Sequence, residues 1–470
     1  MSRRSLRDSQ NFTGLWRQPG NDERQISGSL EYTEKIVILE LQDSFAASKQ
    51  NPFPQLSGND ASYPVLHGSS TKGEALSLFN VMPFGRQFNA GSGGVRTPET
   101  ASSVQLVVGA YLTPESPIKS VRLWIPGIET WLNRGNTTTE ISTEDRSIMV
   151  RSGPGEPELT PIPAIDAVLE WGMSAGANRS QYPSITINCD GFVTIIPASP
   201  KPLEWFLDQI QTLNCLLTFV AGIPMSIKAI QAKLPNDRNV LDVLVCLRQV
   251  PEKTSFHLHE FLLNRAELGD AFQNVAAKWF SEAAALKIPS RLANGLMSWG
   301  VGDFYLEFLS SMQALEGFHR VKYPGTYTDE VSYEGIKKAL NDAIPVSTEN
   351  DHKEALKSKI RYGNQLSLRR RLKDLRGTLG DSLASGVFGG TGELPKRWVD
   401  TRNYLTHWDA DLKAAALDGQ DLYEATIRAQ QFLRLLYLLL VGVPEGTLIA
   451  SLQGFSTAAQ HLIQLNHRRN

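Results

Sequence analysis

Three cysteines are all that this 470-residue chain contains, and none stands in a Cys-x2-Cys pair. That excludes a disulfide-stapled fold and a thiolate zinc site. Cys189, Cys215 and Cys246 lie in apolar or strand-like runs and read as reduced, buried thiols of a cytosolic protein. Long apolar runs are missing too. The two most apolar, Leu213 to Ile223 and Leu435 to Val443, fall well short of the roughly 20 residues that cross a bilayer, so both read as core helices and no membrane span is expected. The opening MSRRSLRDSQNF is basic but lacks the apolar core of a secretory signal, which points to the cytoplasm. Charge of one sign is also scarce, with 47 Lys and Arg against 49 Asp and Glu. A nucleic acid must then be held by a local basic patch, because the global field does not attract it. The GSGG string at Gly91 is followed by neither Lys-Ser/Thr nor a helix signal and is no phosphate-binding loop. His257-x-His259 beside Glu260 finds no matching ligands at recognised spacing elsewhere. Neither a metal nor a cofactor is expected.

The pattern that remains is α+β, large enough for two or three domains. From Gly28 to about Ile196 short β-branched or alternating runs (Ile36 to Leu41, Val104 to Val108, Val121 to Ile125, Ser184 to Asn188, Phe192 to Ile196) alternate with Gly, Pro, Asn and Ser clusters. The stretches Gln50 to Ser62, Asn89 to Thr100 and Arg151 to Pro163 read as exposed loops. Pro202 opens a helix with Leu203, Phe206, Leu207, Ile210, Leu213, Leu217 and Val220 inward, which Gly222 and Pro224 end. Two further strands, near Ser226 to Lys233 and Val240 to Gln249, should close a β-rich, sandwich-like domain over 1–265. The rest, 266–470, reads as an all-α bundle with its core over about 300–470. Its expected helices are Phe304 to His319, Gln365 to Leu379, the helix around Arg402, Leu422 to Leu440 and Leu448 to His467. Tyr323 to Asn350 reads as a connecting excursion and Gly386 to Gly392 as a flexible break.

Chemistry concentrates in Val399-Asp400-Thr401-Arg402-Asn403-Tyr404-Leu405-Thr406-His407-Trp408. Arg is permanently charged with a fork of donors that fits phosphate oxygens, and His both gives and takes a proton near neutrality. A four-residue step nearly closes a helical turn, so Asn403 and His407 share a face, while Arg402 must swing its stem round to join them or meet a second copy of the chain. An R-x4-H alone is common by chance and uninformative without context. A second signal is basic. Lys357 to Arg376 holds eight Lys or Arg and one acid, Asp374, the footprint of a phosphate backbone. With Leu368, Leu372, Leu375 and Leu379 inward, Arg369, Arg370, Arg371, Lys373 and Arg376 should face outward and bind RNA. Tyr362 and Tyr404 are candidates to stack on bases.

Phe304 to Arg320 reads FYLEFLSSMQALEGFHR. With DTRNYLTHWD from Asp400 and the leucine-rich helix after it, this resembles the Apea-like branch of the HEPN ribonucleases. FTGLWRQPG at Phe12, SGSLEYTEKIVILEL at Ser27, VLHGSSTKGEALSLF at Val65 and VRLWIPGIETWL at Val121 are similar to the ApeA amino-terminal domain, which accompanies that HEPN domain in bacterial anti-phage abortive-infection proteins. The resemblance implies a homodimer whose motif helices face each other, catalysis by Arg402, Asn403 and His407, and products with a 2′,3′-cyclic phosphate and a 5′-OH. It also implies host RNA as substrate, with tRNA suggested by analogy, and a phage-derived trigger sensed by the amino-terminal domain. Glu316, spaced i, i+4 from Arg320, would hold Arg402 pre-aimed from a supporting position. The competing reading is a catalytically silent RNA-binding or scaffolding protein with a HEPN-like dimerisation domain.

Overall fold

The computed structural model describes residues 3–467 apart from 46–61, 88, 92–93, 134–137, 143, 145, 152, 154, 182–183, 236, 238, 248–249, 252, 254, 301 and 391. The chain forms two compact units, 1–281 and 282–470. The first is β-rich and the second helical.

In the first unit the described strands are β1 (Gln10–Arg17), β2 (Ile26–Tyr32), β3 (Val37–Leu41), β4 (Tyr63–Ser70), β5 (Ala75–Arg86), β6 (Asn89–Gly91), β7 (Gly94–Arg96), β8 (Glu99–Ser103), β9 (Gln105–Val108) and β10 (Ser120–Trp124). After a short helix α1 (Ile128–Leu132) come β11 (Thr138–Ile141), β12 (Ile148–Arg151), β13 (Glu158–Ile162), β14 (Ala167–Gln181) and β15 (Ser184–Pro197). Helix α2 (Leu203–Ala221) precedes β16 (Ala229–Lys233) and β17 (Val240–Val245).

Thirteen of these strands make one sheet, in the order β13-β14-β15-β10-β16-β17-β9-β5-β4-β1-β2-β3-β8. Its pairings are antiparallel throughout, and β8 returns to bond β5, so β1, β2, β3, β8, β5 and β4 close a six-stranded barrel. The sandwich-like expectation thus takes the form of a continuous sheet, part barrel and part open. One edge of β5 serves both parts: Leu76 to Phe79 pair with β9, and Met82 to Arg86 with β8. The changeover falls at Asn80, whose φ of 50° is a left-handed conformation that Asn adopts more readily than other side-chain-bearing residues.

Alternation drives the barrel. Strand β2 reads buried, exposed, buried along its whole length, with Ile26, Leu30 and Tyr32 inward. The buried Tyr32 hydroxyl donates to Leu6 O at 2.8 Å. Helix α2 ends as expected at Gly222, in the left-handed region at φ 73°.

Two further helices, α3 (Arg265–Leu268) and α4 (Ala271–Glu282), follow. Trp279 donates its indole N–H to Thr212 O at 2.8 Å, and Phe272 meets Trp131 and Trp171 at 5.5 and 5.3 Å between ring centres. These contacts hold the chain past residue 265 against the β-rich core.

Several sequence expectations change. Ser184 to Asn188 and Phe192 to Ile196 belong to one strand, β15. Asn89 to Thr100 contains the β6/β7 hairpin and the start of β8, because pairing supplies what the Gly-rich sequence hides. Arg151 to Pro163 includes β13. Most of Gln50 to Ser62 and part of the GSGG string lie outside the described residues. His257 and Glu260 form a capping pair: Glu260 accepts from His257 N at 2.8 Å and from Lys253 Nζ at 2.7 Å. Of the cysteines, all expected to be buried, Cys215 is buried, whereas Cys189 and Cys246 are half-buried.

The second unit comprises α5 (Lys287–Trp299), α6 (Phe304–Lys322), α7 (Glu330–Asp342), α8 (Asn350–Tyr362), α9 (Leu368–Gly377), α10 (Asp381–Phe388), α11 (Arg397–His407), α12 (Gly419–Leu440), α13 (Glu445–Leu452) and α14 (Thr457–His467). Helix α6 is the pivot. Asp303 caps it, accepting from Tyr305 N and Leu306 N at 2.9 and 3.1 Å. Phe308, Met312 and Leu315 are buried along one stripe. Phe308 meets Trp398 of α11, and Phe318 meets Tyr437 of α12, edge to face at 6.1 and 5.0 Å. The excursion after α6 is a helical hairpin, α7 and α8, in which no residue is buried. The break expected at Gly386 begins later, since α10 runs to Phe388. The last expected helix is two, separated at residues 453–456.

Candidate active site

Helix α11 is aimed by its inner face. Trp398 and Val399 are buried, and Thr401 Oγ1 donates to Arg397 O at 2.7 Å while accepting from Leu417 N at 2.8 Å. The opposite face therefore carries Arg402, Asn403 and His407 outward. Trp408, left-handed at φ 56°, ends the helix by donating its N–H to Tyr404 O.

Arg402 does swing round. One terminal nitrogen donates to Asn403 Oδ1 at 3.2 Å and the other to Glu316 Oε2 at 3.4 Å. The second oxygen of Glu316 accepts from Arg320 Nε at 3.1 Å and from its terminal nitrogen at 2.8 Å. One carboxylate on α6 is thus shared by two guanidiniums, one of them from α11. Gln365 completes the row by accepting from Arg320 at 3.2 Å. His407, one turn beyond Asn403, is exposed. Its imidazole takes part in no hydrogen bond among the described residues. The arrangement presents donors for an anion, an amide and a free proton carrier at one helix end, chemistry suited to a phosphodiester.

Behind this row lies a largely buried set: His319, which the sequence groups with Glu316 and Arg320, and Arg371 and Asp374 of α9. His319 has no exposed surface. Arg371 donates to its Nδ1 at 3.0 Å, so the proton stands on Nε2, which faces Asp374 Oδ2 at 3.3 Å. Burial, more than any other cause, holds the His319 pKa below its ordinary value. Arg371 also donates to Leu366 O at 3.0 Å and Gly325 O at 3.2 Å.

That corrects one expectation about the basic run. Arg371 is 1% exposed and points inward, because its helical position places it beside Leu372 and the α6 face; it cannot meet RNA. Arg369, Arg370 and Lys373 do face solvent. Arg369 lies 3.5 Å from Asp400, and Arg370 pairs with Asp374 at 3.0 Å. Arg376 is mostly covered, its Nε donating to Gly392 O at 3.1 Å. Tyr362 is exposed, whereas Tyr404 is half-buried with its ring edge toward Trp408. The i, i+4 spacing was the only local signal for Glu316, and His319 is legible beside it; Gln365 and Asp374 come from contacts too distant in sequence to leave one.

No helix among the described residues is long and apolar enough to cross a membrane. No curated protein and no solved structure matches the chain. Residues 309–447 match the family model described as Apea-like HEPN, and residues 11–279 match ApeA N-terminal domain 1. With more than half its length under that second model, and the Arg402 to His407 helix inside the first, the chain belongs to the ApeA family, as an anti-phage protein of HEPN type.

Proposed function

We propose that this protein is a metal-independent endoribonuclease that works as a homodimer in the bacterial cytoplasm, cutting host RNA, tRNA by analogy, once its amino-terminal unit senses a phage component. The observation that carries the reading is the sharing of Glu316 between Arg402 and Arg320, with Asn403 and His407 on the next outward turn. A carboxylate held by two guanidiniums is neutralised and poorly placed to bind a divalent ion, so the cations are left to handle phosphate.

In the reaction, His407 takes the proton from a ribose 2′-OH, whose oxygen attacks phosphorus. The bond to the 5′ oxygen breaks, and the same histidine of a second copy returns a proton to that oxygen. Arg402 holds the non-bridging oxygens as their charge grows, and Asn403 orients the phosphate with its amide N–H. Proton transfer of this kind is typically worth about 10² to 10⁴ in rate.

The test is cleavage of total RNA by purified protein in EDTA, with sequencing of ends that carry a 2′,3′-cyclic phosphate. Arg402→Ala and His407→Ala are each expected to abolish cleavage with the fold intact. An absolute requirement for a divalent metal, or full activity in His407→Ala, would sink the mechanism; RNA binding without cleavage would favour the silent-module reading.

A further inference from the structure

The α7/α8 hairpin encloses a groove of about 450 Å³ lined by Tyr327, Tyr333, Ile336, Leu340, Lys359 and Asn364, among others. Its size suits a small planar group, within the range of small-molecule sites. Tyr327 is 58% exposed, and Leu340 and Ile336 remain about half exposed although both are apolar. Lys359 is exposed at the same groove. Its polar wall is rigid: Asn364 donates to Thr328 O at 2.9 Å and accepts from Thr328 N at 3.1 Å.

The groove is tied to the candidate active site. Thr326 and Gln365 form an isolated β-bridge, flanked by Tyr327 N donating to Asn364 O and Leu366 N donating to Gly325 O. Gln365 is the residue that accepts from Arg320, which shares Glu316 with Arg402. On its other side, the Tyr327 hydroxyl donates to Ser367 Oγ at 3.2 Å, and Ser367 caps the basic helix α9. One short segment, 364–367, therefore links groove, basic helix and phosphate-handling arginines.

We infer that this groove receives a single unpaired nucleobase of the RNA substrate, flanking the cleaved phosphate, and so sets the sequence at which the enzyme cuts. The inference rests on the ribonuclease reading above and deepens it. Aromatic and aliphatic walls give a base a stacking surface, Lys359 offers a cation to its phosphate or carbonyl edge, and the outward cations of α9 lead the backbone toward the groove. An apolar protein segment would gain nothing from those cations.

The test uses the full-length His407→Ala chain in EDTA, so that RNA is held and not consumed. A set of identical oligoribonucleotides around a mapped cut site, each with one base removed, is titrated onto it. Removal of one particular base beside the cut is expected to weaken binding roughly tenfold, the effect of losing one stacked base. Adding Leu340→Trp, which fills the groove from an exposed position, is expected to erase that difference; Lys359→Ala should reduce it. In chains that keep His407, Leu340→Trp should flatten the base preference at that position among the cyclic-phosphate ends. If the unsubstituted protein cuts RNA and the penalty is the same with and without Leu340→Trp, the groove inference fails and the ribonuclease reading stands. If RNA is neither bound nor cut, both fall. A penalty confined to the open groove supports the inference, and retention of an apolar peptide but no RNA would overturn it.

Discussion

Two arginines that look equivalent in the sequence do opposite work. Arg370 and Arg371 are neighbours in a basic run, yet one pairs with Asp374 at the surface while the other is sealed against His319 and two carbonyls. Removing Arg371 takes the donor from the buried His319 Nδ1 and from Leu366 O, whereas Gly325 O keeps Leu366 N. Arg371→Ala is therefore expected to cost about 2–4 kcal/mol, seen as a drop in melting temperature, whereas Arg370→Ala should leave stability within about 0.5 kcal/mol. His319 adds a pH dependence of definite sign. Its folded pKa is depressed, so its contribution is complete above the unfolded value near 6.5 and is lost as pH falls below it. Unfolding titrations at pH 7.5 and 5 should show a loss at the lower pH that His319→Gln reduces; an unchanged pH profile would contradict the neutral, buried assignment. Glu316→Gln is expected to keep the fold but release Arg402, lowering RNA cleavage by roughly 10- to 100-fold by analogy with other supporting residues. Residue identity and spacing made Arg402, Asn403, His407 and the Glu316 to Arg320 pair legible as candidates. The inward turn of Arg371 was not, since burial of a charge is decided by partners from distant segments.

At the scale of elements, periodicity was readable wherever a helix packs on a core. Helix α2 and helix α6 stand close to their sequence boundaries because buried leucines and aromatics recur every three or four residues. Helix α7 escaped that reading, for it buries nothing and its charged sequence resembles a linker. The division between α13 and α14 escaped as well, since Phe455 continues the apolar rhythm while being 79% exposed. Helix α9 carries its own expectation. Its outward cations are Arg369, Arg370 and Lys373, so replacing these three by Gln should weaken RNA binding across sequences. The dependence of log affinity on log salt should flatten by about 0.7 for each lost contact to a single strand. An unchanged salt slope, measured by fluorescence anisotropy, would mean the helix is a solvated face.

For the whole molecule, the motif helix α11 ends in an exposed histidine on the surface of its unit, the disposition a composite site needs. If two copies complete each centre, specific activity should fall on dilution below the dissociation constant of the dimer. Mixing Arg402→Ala with His407→Ala chains should then restore part of it, provided the centres use the two residues asymmetrically. Sedimentation showing a fully active monomer would rule the composite site out. The division into β-rich and helical parts was legible from the change of hydrophobic period along the chain. The order of strands was not, because a ring that closes through a changeover at Asn80 depends on pairings between segments tens of residues apart.

That ring has a consequence for association through backbone pairing. A linear sheet offers two free borders, but β8 is already bonded on both sides, by β3 and β5. Among the described residues, the end of the strand order that keeps a free side is β13. Pro161 sits within that strand and has no N–H to give, while Leu159 is 61% exposed. A foreign strand that adds along β13 has an interrupted template to read, a guard against indiscriminate aggregation there that leaves a narrow opening for a matched sequence.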